Sequence, residues 1–246
     1  MADDTGNSKI KDVRKGGSSF GKYRRLVHGD ISLAKVFRNE LLTLLFGYVP
    51  GPFGLVLRKW FFPCMFAHCG RGVVFGRAVS FRHASKIWIG DDVIIDDHAM
   101  IDAKGSSNAG IRLEDGVYVG RETTIYCKNG DIILHPRVNV SSKCTLFSSN
   151  HLEIGAGCMI GAYSYFLSGG EYDYRDPLPF AEQSGMCTKG PLKIGEDCWF
   201  GTRVTVLDGA QSIGNRCTVA ACALVLKPVP DRSLVVGVPG RVAANV

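Results

Sequence analysis

The chain has 246 residues, 46% of them hydrophobic and 21% charged, with 30 Gly, 10 Pro and 9 Cys. That balance suits one large domain or two small ones and excludes collagen, coiled coil and intrinsic disorder. Nine Cys over this length, with no CxxC and no zinc-type ligand run, exclude a disulfide scaffold and predict reduced thiols in a cytoplasmic protein.

Charge is unevenly placed. Residues 1–86 carry 15 Lys+Arg against 5 Asp+Glu, and residues 87–246 carry 14 against 18. The opening MADDTG is acidic and no apolar run follows it, so a secretory signal is not expected. Residues 1–29 form a basic, flexible arm, in which seven cations between Lys9 and Arg25 face one acid, Asp12. Such an arm is either a solvated tail or a contact for anionic lipid, nucleic acid or an acidic partner. Nucleic acid is not expected, because the arm has no interleaved aromatics and no recognition motif.

Residues 30–69 read as a helical cap. Asp30 can cap a helix starting at Ile31, on which Leu33, Ala34, Phe37, Leu41, Leu44 and Leu45 share one side. The uncharged run Leu41–Leu57 is 17 residues long and broken by Pro50-Gly51-Pro52, too short to span a membrane. Phe53–Phe66 is rich in aromatics and carries Arg58 and Lys59. Two helices closing the end of a solenoid account for this pattern. Peripheral attachment to a membrane surface accounts for it too, through a basic arm followed by apolar-aromatic helices.

From Phe75 onward an aliphatic or aromatic residue recurs every six positions, as in IGDDVI, LEDGVY, VGRETT, IGAGCM and IGEDCW. Neither an amphipathic helix nor an alternating strand repeats at six. Six-residue units in threes make the coils of a parallel β-helix, each unit forming one flat face. Triplets start at Leu113, Leu134, Ile154 and Ile194, with a shorter set at Ile213. The longest gap between starts marks a loop inserted at 171–190, and Gly105–Gly110 supplies a smaller irregularity. The first residue of each unit should point inward and the fifth should be small. Val93, Ala99, Val117, Thr123, Val138, Ser164, Val204 and Ala223 stand at the fifth place, with Cys144, Cys158, Cys198 and Cys217. Among the other cysteines, Cys187 in the loop is the one expected to be exposed.

The stretch Ile194–Val242, with IGEDCWFG, two further units, Lys227-Pro228 and the final Gly237-Val238-Pro239, resembles the close of acetyl-CoA-dependent sugar O-acetyltransferases. Residues 70–246 are similar to the hexapeptide-repeat acyltransferase family. The resemblance implies a mainly β fold, a left-handed parallel β-helix, in a homotrimer with active sites between subunits. It implies acyl transfer, acetyl in the first instance, from CoA to a hydroxyl or amine of a sugar or saccharide intermediate in polysaccharide biosynthesis. It places Trp199 and Gly201 beside the pantetheine channel, Ala220 and Ala221 along it, Lys227 near the cofactor's phosphates, and Arg241, in the terminal loop Pro239–Arg241, among the cofactor-binding residues. Alternatively, Gly201 and the two Ala only serve tight corners and Lys227 is a surface cation.

The family's catalytic His follows the coil exit, and here Glu171 stands in that place, after Ser168-Gly169-Gly170. His151 and Glu171 are the sixth residues of the third units of adjacent coils, so they should be neighbours on one corner. A carboxylate beside an imidazole orients it and stabilises its protonated form. His151 is then the base with Glu171 orienting it, or Glu171 is itself the base. Tyr172 and Asp173 are the acceptor-side candidates, in a loop that either contacts the acceptor or packs on the next subunit. The lost histidine leaves open a non-catalytic trimeric scaffold. No metal is expected, because His98, His135 and His151 occupy the fourth, second and sixth places of their units and should not converge. His28 and His83 have no partner visible in the sequence. A cytoplasmic enzyme, with an alternative location at the inner face of the membrane, fits these features.

Overall fold

The computed structural model describes residues 18–180, 182–183 and 187–245. The part of the basic arm within residues 1–17 lies outside the described residues. Three helices come first: α1 (Ser19–Val27), α2 (Leu33–Phe46) and α3 (Gly51–Phe61). A short 3-10 turn, Phe62–Met65, leads into the coils. The cap of α2 is Ser32, whose hydroxyl accepts from Lys35 N at 3.4 Å, and not Asp30. Ser32 sits one residue before the first helical position, where its oxygen meets a free N–H, whereas Asp30 lies too far upstream.

The rest is a parallel β-solenoid. Strands form three sheets of seven, nine and seven among the described residues, and each sheet takes every third strand in turn. Seven coils run from His68–Cys69 to Leu224–Val225. Strands Ser233–Val236 and Arg241–Asn245 then close the second sheet as an antiparallel pair. The six-residue spacing is the spacing of these strands. First-place residues such as Ile89, Ile95, Leu134, Ile154, Phe166 and Phe200 are buried and stack along the axis. The fifth-place residues are buried as well, including all four cysteines assigned there. Fourth-place residues take the left-handed conformation even where they are not Gly, as at Asp92, Lys143, Asp197 and Arg203. That conformation turns the chain through each corner, at a cost the stacked coils outweigh. All nine cysteines are free, and Cys64 and Cys222 are exposed in addition to Cys187. Cys222 is a fourth-place residue, and that corner position points outward.

The helices close the N-terminal end. Phe62 is buried and packs edge-on against Phe75 at 5.7 Å, while Phe66 meets Phe75 at 5.6 Å and Phe81 at 4.8 Å. Arg58, 1% exposed, passes through this plug. Its Nε donates to Phe75 O at 2.9 Å, and its Nη1 donates to Phe46 O at 3.1 Å and Val49 O at 2.8 Å. One cation therefore satisfies carbonyls at the C-terminal end of α2 and ties α3 to the first coil. Gly54 makes room: a Cβ there would stand 1.9 Å from Val49 O and 2.9 Å from Arg58 Nη1. Among the described residues no helix is long and apolar enough to cross a membrane.

Candidate functional site

The inserted loop leaves the third sheet at the end of strand Tyr165–Ser168. Gly169 and Gly170 both have positive φ, 80° and 89°, and redirect the chain outward. Strand register pairs Tyr165 with Thr205 and Thr205 with Leu224. Beyond the strands, Leu207 N donates to Val225 O at 3.1 Å, and a Cβ on Gly209 would stand 2.7 Å from Leu226 O, so the 3-10 turn Asp208–Ala210 lies beside the segment that leads to Lys227.

Asp208 anchors the loop there. It is fully buried, and its carboxylate accepts from Gly169 N at 2.6 Å, from Thr188 Oγ1 at 3.3 Å and from Lys189 N. One side chain thus fastens both ends of the loop. A further antiparallel bridge joins Glu171 to Cys187, and Lys189 Nζ lies 3.2 Å from Glu171 Oε2. Next to the exit, the Ser148 and Ser149 hydroxyls are buried without a hydrogen-bond partner. The sequence reading missed Asp208, a third-place residue of VLDGAQ, because third-place residues of other units, such as Arg121 and Thr202, are exposed.

Glu171 pairs with Lys189 and His151 with Glu153, and no ion pair between Glu171 and His151 occurs among the described residues. The strand beside His151–Ile154 is Leu192–Ile194, because the chain has already left the coil at Gly169. His151 is half-buried, with Nε2 at 3.5 Å from Glu153 Oε2, and its carbonyl accepts from Ser168 Oγ at 2.8 Å. Glu153 also takes His135 Nε2 at 2.9 Å and Lys193 Nζ at 3.4 Å, while His135 Nδ1 meets Glu114 at 2.9 Å. His135 and His151 therefore do converge, on one carboxylate. Among the described residues no group of three or more His, Cys, Asp or Glu that could hold a metal ion occurs. Burial opposes the charge on His135, but the hydrogen bonds to Glu153 and Glu114 outweigh it and raise the imidazole pKa. The same His135 contact, partly offset by burial and aided by Lys193, lowers the Glu153 carboxyl.

In the loop, Tyr172 packs edge-on near Phe180 at 6.0 Å. Asp173 Oδ1 accepts from Arg175 N at 2.9 Å, and its carbonyl accepts from Gln183 Nε2 at 2.9 Å. The Asp173 side chain thus serves the loop's own turn.

On the second sheet Trp199 is exposed, paired with Met159 on one side and Thr218 on the other. Gly201 meets the Ala220-Ala221 corner of the next coil. A Cβ on Gly201 would lie 2.6 Å from Ala221 N and 2.9 Å from its Cα, backbone atoms that cannot yield. The three small residues expected along the channel are therefore together, and coil stacking alone already requires the glycine. Lys227 and Arg241, separated in sequence, line one cavity of about 470 Å³ with Pro228, Pro239 and Gly240.

His28 and His83 do have partners. His28 Nε2 is 2.7 Å from Glu40 Oε1, and His83 Nδ1 is 2.9 Å from Asp102 Oδ1. They line a second cavity of about 270 Å³ between α1 and the early coils.

Residues 191–226 match the hexapeptide repeat of succinyl-transferase. That match covers two coils of the solenoid, about a seventh of the chain. Among curated relatives, "Probable acetyltransferase Rv3034c" of Mycobacterium tuberculosis is 30% identical over 130 residues, 52% of this chain and 42% of that protein. The Escherichia coli protein named "Putative lipopolysaccharide biosynthesis O-acetyl transferase WbbJ" is 26% identical over 143 residues, 56% of this chain and 71% of its own. The match thus spans less than half of the first of these proteins. Among solved structures, the N-acyltransferase AntD of Bacillus cereus, in complex with dTDP-4-amino-4,6-dideoxyglucose and coenzyme A, superposes with a TM-score of 0.51. It is 15% identical, over 73% of this chain and 83% of that one, and shows the shared fold.

Proposed function

We propose that this protein is an acyltransferase that moves an acetyl group from acetyl-CoA to a hydroxyl or amine of a sugar or saccharide intermediate. The observation that carries this reading is the close approach of the Asp208–Ala210 turn, which fastens the inserted loop, to Leu226 beside Lys227. It brings the loop exit with Glu171 to the same edge of the solenoid as the cationic cavity of Lys227 and Arg241. The narrow corner of Gly201, Ala220 and Ala221 suits close backbone approach to a pantetheine arm. Lys227 and Arg241 suit its phosphates. The names of the two curated relatives support acetyl transfer, and that of WbbJ supports a polysaccharide-building acceptor.

In this reading Glu171 is the base. Its carboxylate takes the proton of the attacking hydroxyl, the acceptor oxygen adds to the thioester carbonyl, and CoA leaves as the thiol. His151, turned toward Glu153, is not part of that step. Backbone amides at the channel mouth would hold the oxyanion, and Tyr172 would meet the acceptor. The enzyme is cytoplasmic and trimeric. On the second sheet exposed Val74 and Ile94 at one end and Met159 and Trp199 at the other, with Tyr118 and Asn139 between them, offer a face for a neighbouring subunit.

Steady-state thiol release tests the assignment. Glu171→Gln should lower kcat by about 10²–10⁴ with little change in the acetyl-CoA KM. Lys227→Ala with Arg241→Ala should instead raise that KM. Full turnover in Glu171→Gln rejects the base. A rival reading, a non-catalytic trimeric scaffold, rests on the glutamate that stands where the family has histidine, and acetyl-CoA binding separates the two.

A further inference from the structure

The helices that plug the solenoid have two apolar faces, and the plug uses one. On α2 the inner face, with Val36, Leu42 and Phe46, packs toward the coils. On the other face Leu33, Phe37, Leu41 and Leu44 follow at intervals of three and four residues and stand in solvent, Phe37 at 70% and Leu44 at 78% exposure. The next helix repeats this. Gly54 and Arg58 are buried, while Phe53, Val56 and Trp60, again three and four apart, face out, Phe53 at 70% and Trp60 at 71%. Tyr48 between the helices is 70% exposed. A folded protein seldom leaves this many large side chains in water without a partner.

We propose that this outer face of α2 and α3 docks the protein on an anionic phospholipid bilayer, with the helices lying in the interface. Charge chooses this occupant. Arg38 and Lys59 are interspersed with the apolar positions, Lys35 stands on the first turn of α2, and seven cations between Lys9 and Arg25 precede it in the chain. Residues 1–86 carry a surplus of positive charge, so a second copy brought against this face would meet repulsion, whereas an anionic surface meets attraction. Trp60 and Tyr48 have an apolar body and a polar tip, the pairing favoured at headgroup depth. Neither helix is long enough to span, so the contact is peripheral. The proposal does not depend on the acyl-transfer reading, since it needs only the exposed face and the charge beside it.

Flotation of the full-length protein tests it, with vesicles of phosphatidylcholine containing phosphatidylglycerol and with phosphatidylcholine alone. The protein should float with the anionic vesicles, far less with the neutral ones, and less again at high salt. A Phe37→Ser, Leu44→Ser, Trp60→Ser variant should keep its melting temperature, because these side chains touch little in the fold, and lose binding by about a hundredfold. An Arg38→Gln, Lys59→Gln variant should bind more weakly and show less salt dependence. Wild-type protein that stays at the bottom with anionic vesicles or floats equally with neutral ones, or a triple variant that floats as well as wild type, overturns the proposal. So does a wild type that does not float and whose triple variant falls to a smaller oligomer, which would make the face a subunit contact.

Discussion

Replacing Asp208 by Asn changes one atom at the base of the inserted loop, and the structure gives the size of the effect. One carboxylate oxygen accepts from Gly169 N and Thr188 Oγ1, and the other from Lys189 N. Asn keeps one oxygen and presents an NH₂ where the other was. Whichever way the amide turns, a backbone N–H then faces a donor in a fully buried site. A hydrogen bond to a charged group contributes roughly 1.5–3 kcal/mol, and an orphaned buried donor costs roughly 1–3 kcal/mol. These overlap in the same atom pair, so the expected loss is about 2–4 kcal/mol. Urea unfolding measures it as a lower midpoint. If the loop ends open before the solenoid does, limited proteolysis should also cut within 171–190 at rates well above wild type while the coils stay intact. A midpoint within about 0.5 kcal/mol of wild type, together with unchanged loop protection, refutes the argument, because an ordinary surface substitution does as much.

Arg58→Met should destabilise the protein by about 3 kcal/mol or more, read from the urea midpoint, because it leaves the carbonyls of Phe46, Val49 and Phe75 without their buried donor. Gly201→Ala should cost stability and weaken acetyl-CoA binding together, since its Cβ meets the backbone of Ala221 at 2.6 Å; a variant with wild-type stability argues against the corner geometry. His135 predicts a pH effect. Its folded pKa is raised, so its contribution is fully present below the unfolded value near ~6.5 and is lost as pH rises through the higher folded value. Melting temperature should therefore fall modestly across that window in wild type, and a His135→Gln variant should show a flatter profile there.

Much of the fold was legible because a solenoid repeats one local solution. Six-residue spacing showed where strands stack, and the small fifth residues, cysteines included, showed where corners bury. The errors came where local pattern and tertiary course part. The expected pairing of His151 with Glu171 assumed that the coil continued past residue 168, whereas Glu171 bridges Cys187 and pairs with Lys189 across the loop ends. Arg58 read as one cation among aromatics, because only the folded plug brings three carbonyls to it. Asp208 looked like a polar turn residue, since its partners lie 39 and 19 positions away in the chain. Ser32 rather than Asp30 caps α2 because capping depends on an offset of one residue. Lys227 and Arg241 line one cavity although they lie 14 positions apart in the chain, which the repeat alone did not show.

The central claim is that this solenoid binds a CoA thioester at the corner of Gly201, Ala220 and Ala221 and at the Lys227–Arg241 cavity. Calorimetric titration of the full-length protein with acetyl-CoA tests it without knowledge of the acceptor. The account predicts saturable binding of one acetyl-CoA per chain, weakened by Lys227→Ala with Arg241→Ala and unchanged by Glu171→Gln. No binding at millimolar acetyl-CoA, or binding indifferent to Lys227 and Arg241, contradicts it.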